Sequence, residues 1–441
     1  MSQRTRREVL AVAALAVAVA VFLWLVAVRH GFFDLNVYFG ALNHWADGGL
    51  LYDYLRPRTE YGFTYPPFAA LVMLPMAFVP WHVVIVVSLL LNLSATGAVL
   101  YWLVDPVARR EGWTRWFAFA VAACLAAAYE PMRETFTFGQ VNMVLVFLVF
   151  ADVVLLLGRG SRWAGVGIGL ATAVKLTPGI FILYLLVTRR WRAAAVASAT
   201  AAGATLLAAA AAPDASRIFW TEALWNTERI GTLSFVSNQS LQGVLARLDP
   251  GDPSRVLWLA VVLTVLAVWA WRVRRAVAAG DELTGAALTG VVGCLVSPVT
   301  WVHHLVWLVP ALALLVDNGM RAAPRSRRRV ALLSWAAATY VLLCSALVWA
   351  WWWDISGVDA FLGANAYVWA SLALLLGLPI RSAAPAAGSG GPPDGVSQLH
   401  EGDRDALASA SPKRGGRWDQ ETHRPKAVAW RRAGPAARPR A

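Results

Sequence analysis

The chain has 441 residues, of which 58% are hydrophobic and only 15% charged, and it carries 23 tryptophans. That balance excludes an ordinary soluble domain, and the repeated apolar runs near twenty residues are long enough to cross a bilayer. Its 39 basic residues outnumber 26 acidic ones, a formal charge of +13. The excess concentrates in short loops and the C-terminal stretch, which reads as membrane topology and lipid-surface charge rather than nucleic-acid binding. Three cysteines, all inside apolar runs, argue against a disulfide framework.

In chain order, Val9–Val28 is the first span, starting inside because Arg4, Arg6 and Arg7 precede it, and it reads as a retained signal-anchor. A first extracytoplasmic loop follows over 29–67, with Pro66-Pro67 breaking the chain before Phe68–Val79, a helix too short to span alone. Trp81–Val104 returns inward and Trp116–Tyr129 goes out to an exterior turn carrying Glu130, Arg133 and Glu134. Val141–Leu157 comes back. Treated as one span, Trp163–Val187 would leave Arg189, Arg190 and Arg192 outside. The breakers around Lys175 and Pro178 instead predict two half-helices that enter and leave from the cytoplasmic side. Arg192–Ala212 then exits, and a long extracytoplasmic loop covers 213–253. Ser254–Trp271, Leu283–Val299, Trp301–Val316, Val330–Trp353 and Leu362–Ile380 follow as alternating spans. The expected fold is an all-α integral-membrane bundle of about ten full spans plus a re-entrant pair over 1–380. Residues 381–441, rich in Ala, Gly, Pro, Ser and Arg, read as a disordered basic cytoplasmic tail. The absence of a clear internal repeat weighs against an inverted-repeat transporter.

This topology gathers the polar residues on one side. Asp34 follows the first span by about one and a half helical turns, and an ionisable group that close to a bilayer boundary is a functional candidate. Asn36, Tyr38, Glu60, Tyr65, Gln140, Asn142, Asn238 and Gln239 fall in outer loops or at outer helix ends, and are candidate substrate-binding residues. A single placed carboxylate suits inverting displacement at a sugar carbon, where it takes the proton of the acceptor hydroxyl. A phosphate leaving group needs no acid but does need donors as its charge grows; His303, His304 and Arg133 are the candidates. Each has a plainer reading: Asp34 as a loop carboxylate, the histidines as interfacial residues beside Trp301 and Trp307. Two adjacent histidines on an α-helix point about 100° apart and make a poor metal site. Lys175, the lysine that precedes the tail, reads as structural and paired with Asp152, or else as lining a lipid-phosphate cavity. The glycines at 165, 167 and 169 lack the strand–helix context of a dinucleotide site. An Asp-x-Asp at 403–405 lies in the tail and is discounted.

Several of these stretches resemble the family 87 glycosyltransferases. They are DLNVY at 34–38, FTYPPFAA at 63–70, FGQVN at 138–142, AVKLTP at 173–178, SNQS at 237–240 and SPVTWVHH at 297–304. The resemblance runs from about Val9 to Ile380 and implies an actinobacterial membrane mannosyltransferase of the GT-C type. It further implies a polyprenyl-phosphate-mannose donor, a lipid-anchored glycan acceptor of the phosphatidylinositol mannoside, lipomannan or lipoarabinomannan type, and an α-(1→2) linkage made with inversion on the extracytoplasmic face of the cell membrane. The first-loop aspartate would be the base, which matches Asp34, and a histidine of the 297–304 stretch would meet the phosphate, either His303 or His304. No cofactor or metal is implied. Two rival readings are a lipid-linked-sugar flippase and an arabinofuranosyl or other pentosyl transferase on the same scaffold.

Overall fold

The computed structural model describes residues 2–26, 30–226, 231–251 and 253–381. The expected tail beyond Arg381, with its Asp-x-Asp, and part of the 213–253 loop lie outside the described residues. Among the described residues the architecture is all-helical, with one isolated β-bridge between Leu55 and Gly62. The helices are α1 (Gln3–Leu25), α2 (Phe33–Ala46), α3 (Pro67–Met73), α4 (Trp81–Arg110), α5 (Arg115–Ala128) and α6 (Glu130–Phe138). They continue as α7 (Asn142–Ala151), α8 (Val166–Val174), α9 (Ile180–Val187), α10 (Trp191–Ala211), α11 (Pro213–Ile218) and α12 (Leu241–Leu248). The last six are α13 (Arg255–Ala278), α14 (Glu282–Val296), α15 (Val309–Arg321), α16 (Arg327–Cys344), α17 (Gly357–Gly363) and α18 (Ala366–Gly377).

Five of the described helical stretches are long and apolar enough to cross a membrane, or up to seven if each bent pair is one span. This is a membrane protein. The first stretch, α1, starts on Ser2, whose hydroxyl accepts from Thr5 N–H, and buries no residue, as expected of a helix whose faces are solvated by lipid. The expected exterior turn at 130–142 is instead a helix, α6, that meets the 142–157 segment at 114°. The expected span at 301–316 opens as a tight 3-10 segment, Val302–Leu308, before α15 begins.

The 163–187 stretch breaks where its composition predicts. Helix α8 ends at Val174, Lys175 is extended, and a short 3-10 turn over Thr177–Gly179 leads into α9. The expected Lys175–Asp152 pair does not form. The Asp152 carboxylate accepts from the Gly165 and Ile168 amides at 2.8 and 3.0 Å, capping the start of α8. The glycines at 165, 167 and 169 are there for packing. A Cβ on them would meet Ala193 O at 2.2 Å, Leu148 O at 2.4 Å and Ala197 O at 2.5 Å, so α8 lies almost backbone to backbone against α7 and α10.

Buried apolar side chains form two clusters. The larger one joins α4, α7, α8, α9, α13, α14, α15 and α18 into the body of the bundle. The smaller one gathers Leu35, Tyr38, Tyr52, Phe63, Tyr65 and Phe219 around α2 and α3. The candidate residues lie along the seam between the two.

Candidate active site

The site is built where α2 begins and α6 ends. Gly31 and Phe32 both take left-handed backbone, at φ 59° and 54°, and Phe32 N–H donates to Thr137 O at 2.8 Å. Helix α6 stops at Gly139, at φ 72°, where a side chain would also strike Leu35 Cβ at 2.6 Å. Only glycine fits there, and its small size lets α2 and α6 close on each other. Gln140 is thereby set beside the first turn of α2, and its Nε2 donates to Asp34 Oδ2 at 2.6 Å.

From Gln140 a chain of polar contacts runs across the seam. Tyr65 Oη donates to Gln140 Oε1 at 2.8 Å and accepts from Tyr38 Oη at 3.0 Å. Burial pushes both phenols well above their usual range, so they remain donors at neutral pH. Lys175 Nζ reaches Tyr65 Oη at 3.4 Å, Asn142 Oδ1 at 3.1 Å and His304 Nε2 at 2.9 Å. The Asn142 amide is oriented by its own donation to His303 O at 3.2 Å. Every step from Lys175 to Asp34 has the same polarity, donor toward the carboxylate. That keeps Asp34 an acceptor.

Burial raises the Asp34 carboxyl to about 6, against the Gln140 hydrogen bond and the positive charges of Lys175 and Arg56, which favour its ionised form. Arg56 lies 4.1 Å above the Phe33 ring and donates to Asn36 Oδ1 at 3.1 Å, so Asn36 serves by holding a cation near the carboxylate. A carboxyl near 6 on a helix N-terminus is mostly ionised at neutral pH yet basic enough to take a proton.

His303 and His304 face different ways, their rings 85° apart. Trp301 N–H donates to His304 Nδ1 at 3.1 Å, which leaves Nε2 as the ring's donor, turned to Lys175. Lys175 and His304 line a cavity of about 20 Å³ that Asn142, Ser297 and Thr300 also border and that continues into apolar walls of Phe181, Gly293 and Trp307. His303 lies away from it, against Phe138 and Glu134.

Four other candidates stand apart from this centre. Arg133 donates to Cys344 O at 3.3 Å and lies 5.2 Å over the Phe22 ring, so it braces α6 against α1 and α16. Asn238 accepts from Thr300 N–H at 2.9 Å and donates to Leu233 O, while Gln239 donates to Val236 O and Ala364 O. These two amides are fully buried supports for the 297–301 stretch. Glu60 is exposed on the loop before Tyr61. Of the two sequence readings of Lys175, the pairing with Asp152 fails and the cavity-lining place is the one the structure has. Its signal was the broken helix, which frees a lysine from an apolar run only to turn it into protein.

A buried carboxylate on one side of the seam and two nitrogen groups 2.9 Å apart on the other form a pattern suited to group transfer from a phosphate. The model of glycosyltransferase family 87 matches residues 63–298, just over half of the chain. A polyprenol-phosphate-mannose-dependent alpha-(1-2)-phosphatidylinositol mannoside mannosyltransferase of Mycobacterium tuberculosis is 34% identical over 367 residues, covering 78% of this chain and 83% of that protein. The chain belongs to glycosyltransferase family 87. The Mycolicibacterium smegmatis protein of the same description is 37% identical over 63% of this chain and 68% of its own length. An alpha-(1->3)-arabinofuranosyltransferase of Corynebacterium glutamicum is 22% identical over 58% of this chain and 62% of its own. No solved structure matches. The chain is therefore a glycosyltransferase. The family match covers Tyr65, Gln140, Asn142 and Lys175, the middle of the polar chain, while Asp34 and His304 flank it.

Proposed function

We propose that this glycosyltransferase moves mannose, with inversion, from polyprenyl-phosphate mannose to a phosphatidylinositol-mannoside-type glycolipid, forming an α-(1→2) linkage. The observation that carries the reading is the Asp34 carboxylate, held by Gln140 at 2.6 Å and joined through Tyr65 to Lys175 and His304. Asp34 takes the proton of the acceptor hydroxyl as its oxygen bonds to the sugar's anomeric carbon. The bond from that carbon to the phosphate oxygen breaks, and its electron pair leaves on the phosphate. Nζ of Lys175 and Nε2 of His304 are two donors 2.9 Å apart, so an oxyanion seated beside the pair would accept from both. The apolar walls of Phe181 and Trp307 that extend the same cavity suit the start of a prenyl chain. Inversion to an α product requires the sugar to leave from the β configuration.

The relatives' names support this donor and acceptor, and the arabinofuranosyltransferase among them keeps pentosyl transfer as the second reading. In the membrane, positive-inside counting supports ten full spans of a GT-C-type bundle with a re-entrant pair at α8 and α9. Residues 1–380 are then one membrane domain of the cell membrane, with Asp34 on the extracytoplasmic face and the basic tail in the cytoplasm.

The test supplies membranes holding the wild type or Asp34→Asn with radiolabelled polyprenyl-phosphate mannose and a phosphatidylinositol-mannoside extract. The variant should lose about 10²–10⁴-fold in transfer rate, the range of general-base catalysis. Equal transfer by both proteins would remove Asp34 from the mechanism, and labelling only from a pentosyl donor would favour the second reading.

A further inference from the structure

One polar cluster beside the site takes no part in the chain from Lys175 to Asp34. Glu134, on α6, is nine-tenths buried and lies between two imidazoles, with Oε1 4.0 Å from His30 Nε2 and Oε2 3.9 Å from His303 Nδ1. Both separations exceed hydrogen-bond reach. Among the described residues, Glu134 Oε2 and both ring nitrogens of His303 have no hydrogen-bond partner, although the residues are buried. Buried polar atoms of this kind are rare in folded proteins and mark a place where water or a ligand belongs.

The spacing is held, not accidental. Phe138 stacks on His30 at 3.7 Å and tilts against His303 at 5.3 Å, which keeps the imidazoles on either side of the carboxylate. The His303 carbonyl is fixed by Thr135 Oγ1 at 3.1 Å and by Asn142 Nδ2. Burial pushes His30 down to about 4, so at neutral pH it is uncharged and offers one donor and one acceptor. The cluster therefore presents a carboxyl group and two imidazoles, and Glu134 Oε2 and the His303 ring nitrogens, which lack protein hydrogen-bond partners among the described residues, are open to a hydroxyl. Phe138 links this cluster to the base, since its ring stacks on His30 and meets Phe33, the neighbour of Asp34, edge-on at 6.5 Å.

We propose that Glu134, flanked by His303 and His30, is the acceptor-sugar subsite, holding the hydroxyls next to the one that Asp34 deprotonates. This rests on the transfer reaction above and deepens it. The ligand class is a polyol ring, a hexose or an inositol, whose adjacent hydroxyls donate to Glu134 and exchange hydrogen bonds with the imidazoles. His303 then reads the acceptor while its neighbour His304 meets the phosphate.

The experiment compares the wild type with Glu134→Gln and His303→Ala, purified in detergent, using polyprenyl-phosphate mannose and a defined phosphatidylinositol mannoside. Glu134→Gln keeps the shape of the side chain and should raise the acceptor KM several-fold, the worth of a hydrogen bond, with the donor KM little changed. An acceptor lacking the hydroxyl next to the reacting one should be rejected by the wild type and no longer distinguished by Glu134→Gln. A purely structural role would not move that discrimination. An unchanged acceptor KM in folded Glu134→Gln, or a rise in the donor KM alone, would overturn the proposal. Thermal stabilisation by the acceptor lipid without donor is measured in parallel. If the wild type transfers no mannose but is stabilised by the lipid in a Glu134-dependent way, the donor reading fails and the subsite stands. If the lipid stabilises neither protein, the subsite fails.

Discussion

The two faces of the Val302–Leu308 turn differ in kind. On the His304 face the side chains are held in place: Trp301 N–H donates to Nδ1, Lys175 donates to Asn142 and Tyr65, and Lys175 Nζ and His304 Nε2 stand 2.9 Å apart as two donors. On the His303 face neither ring nitrogen has a hydrogen-bond partner among the described residues, and Glu134 stops short of it at 3.9 Å. One face is preorganised before substrate arrives and the other is incomplete without it. A chemical step gains from the first arrangement, because fixed donors need no reorganisation in the transition state. Recognition of a hydroxylated ring suits the second, because the ring itself completes the hydrogen bonds.

The strongest way to break this comparison is at Lys175. Lys175→Gln removes the charge that meets the leaving phosphate, and kcat/KM for the donor should fall about 10²–10³-fold, as for loss of one transition-state donor. The acceptor KM should hold. Steady-state kinetics with each substrate varied in turn checks this, with the folded fraction confirmed by gel filtration in detergent. A loss confined to the acceptor KM would mean that the two faces have been assigned the wrong way round.

How much of this was legible in the sequence follows from the distances involved. Asp34 was readable because its position is local: a carboxylate just after an apolar span. The break at Lys175 was readable for the same reason, from Pro178 and the glycines. The partner of Lys175 was not, because the nearby acid, Asp152, is taken by backbone amides that no side-chain pattern reveals. The choice between His303 and His304 depends on a 3-10 turn, in which neighbours lie about 120° apart and only coordinates fix which ring faces the lysine. Asn238 and Gln239 lie in a stretch that resembles the family, yet their side chains support backbone. Motif membership marked them as important and could not separate holding the site from being the site. The helical class and a membrane bundle were legible throughout from apolar runs.

A smaller effect sharpens the contrast with groups that only support. Arg247 is buried and donates to Asn365 Oδ1, Phe235 O and Asn238 O. Asn365→Ala strips that guanidinium of its side-chain acceptor and should destabilise the protein by about 1.5–3 kcal/mol, the worth of a hydrogen bond to a charge. A thermal melt in detergent reads it. The folded fraction should keep both KM values, unlike the Lys175 and Glu134 variants.

The finest test is the pH dependence of the base. In the proposed reaction Asp34 works ionised, so activity should rise with pH through an acid limb near the carboxyl's value of about 6. Gln140 and the cations Lys175 and Arg56 all favour the carboxylate, so removing any of them raises that value and moves the limb to higher pH. Gln140→Leu keeps the size but loses the donor at 2.6 Å, and its limb in kcat/KM should move up by about one unit or less. Arg56→Gln should move it the same way by less, since Arg56 contributes least of the three. Well above the limb the Gln140→Leu enzyme should recover most of its lost rate, because there its carboxyl is ionised regardless. A deficit that persists at high pH would mean that Gln140 chiefly aims Asp34 at the acceptor. A limb that moves down would mean that the titrating group is not Asp34.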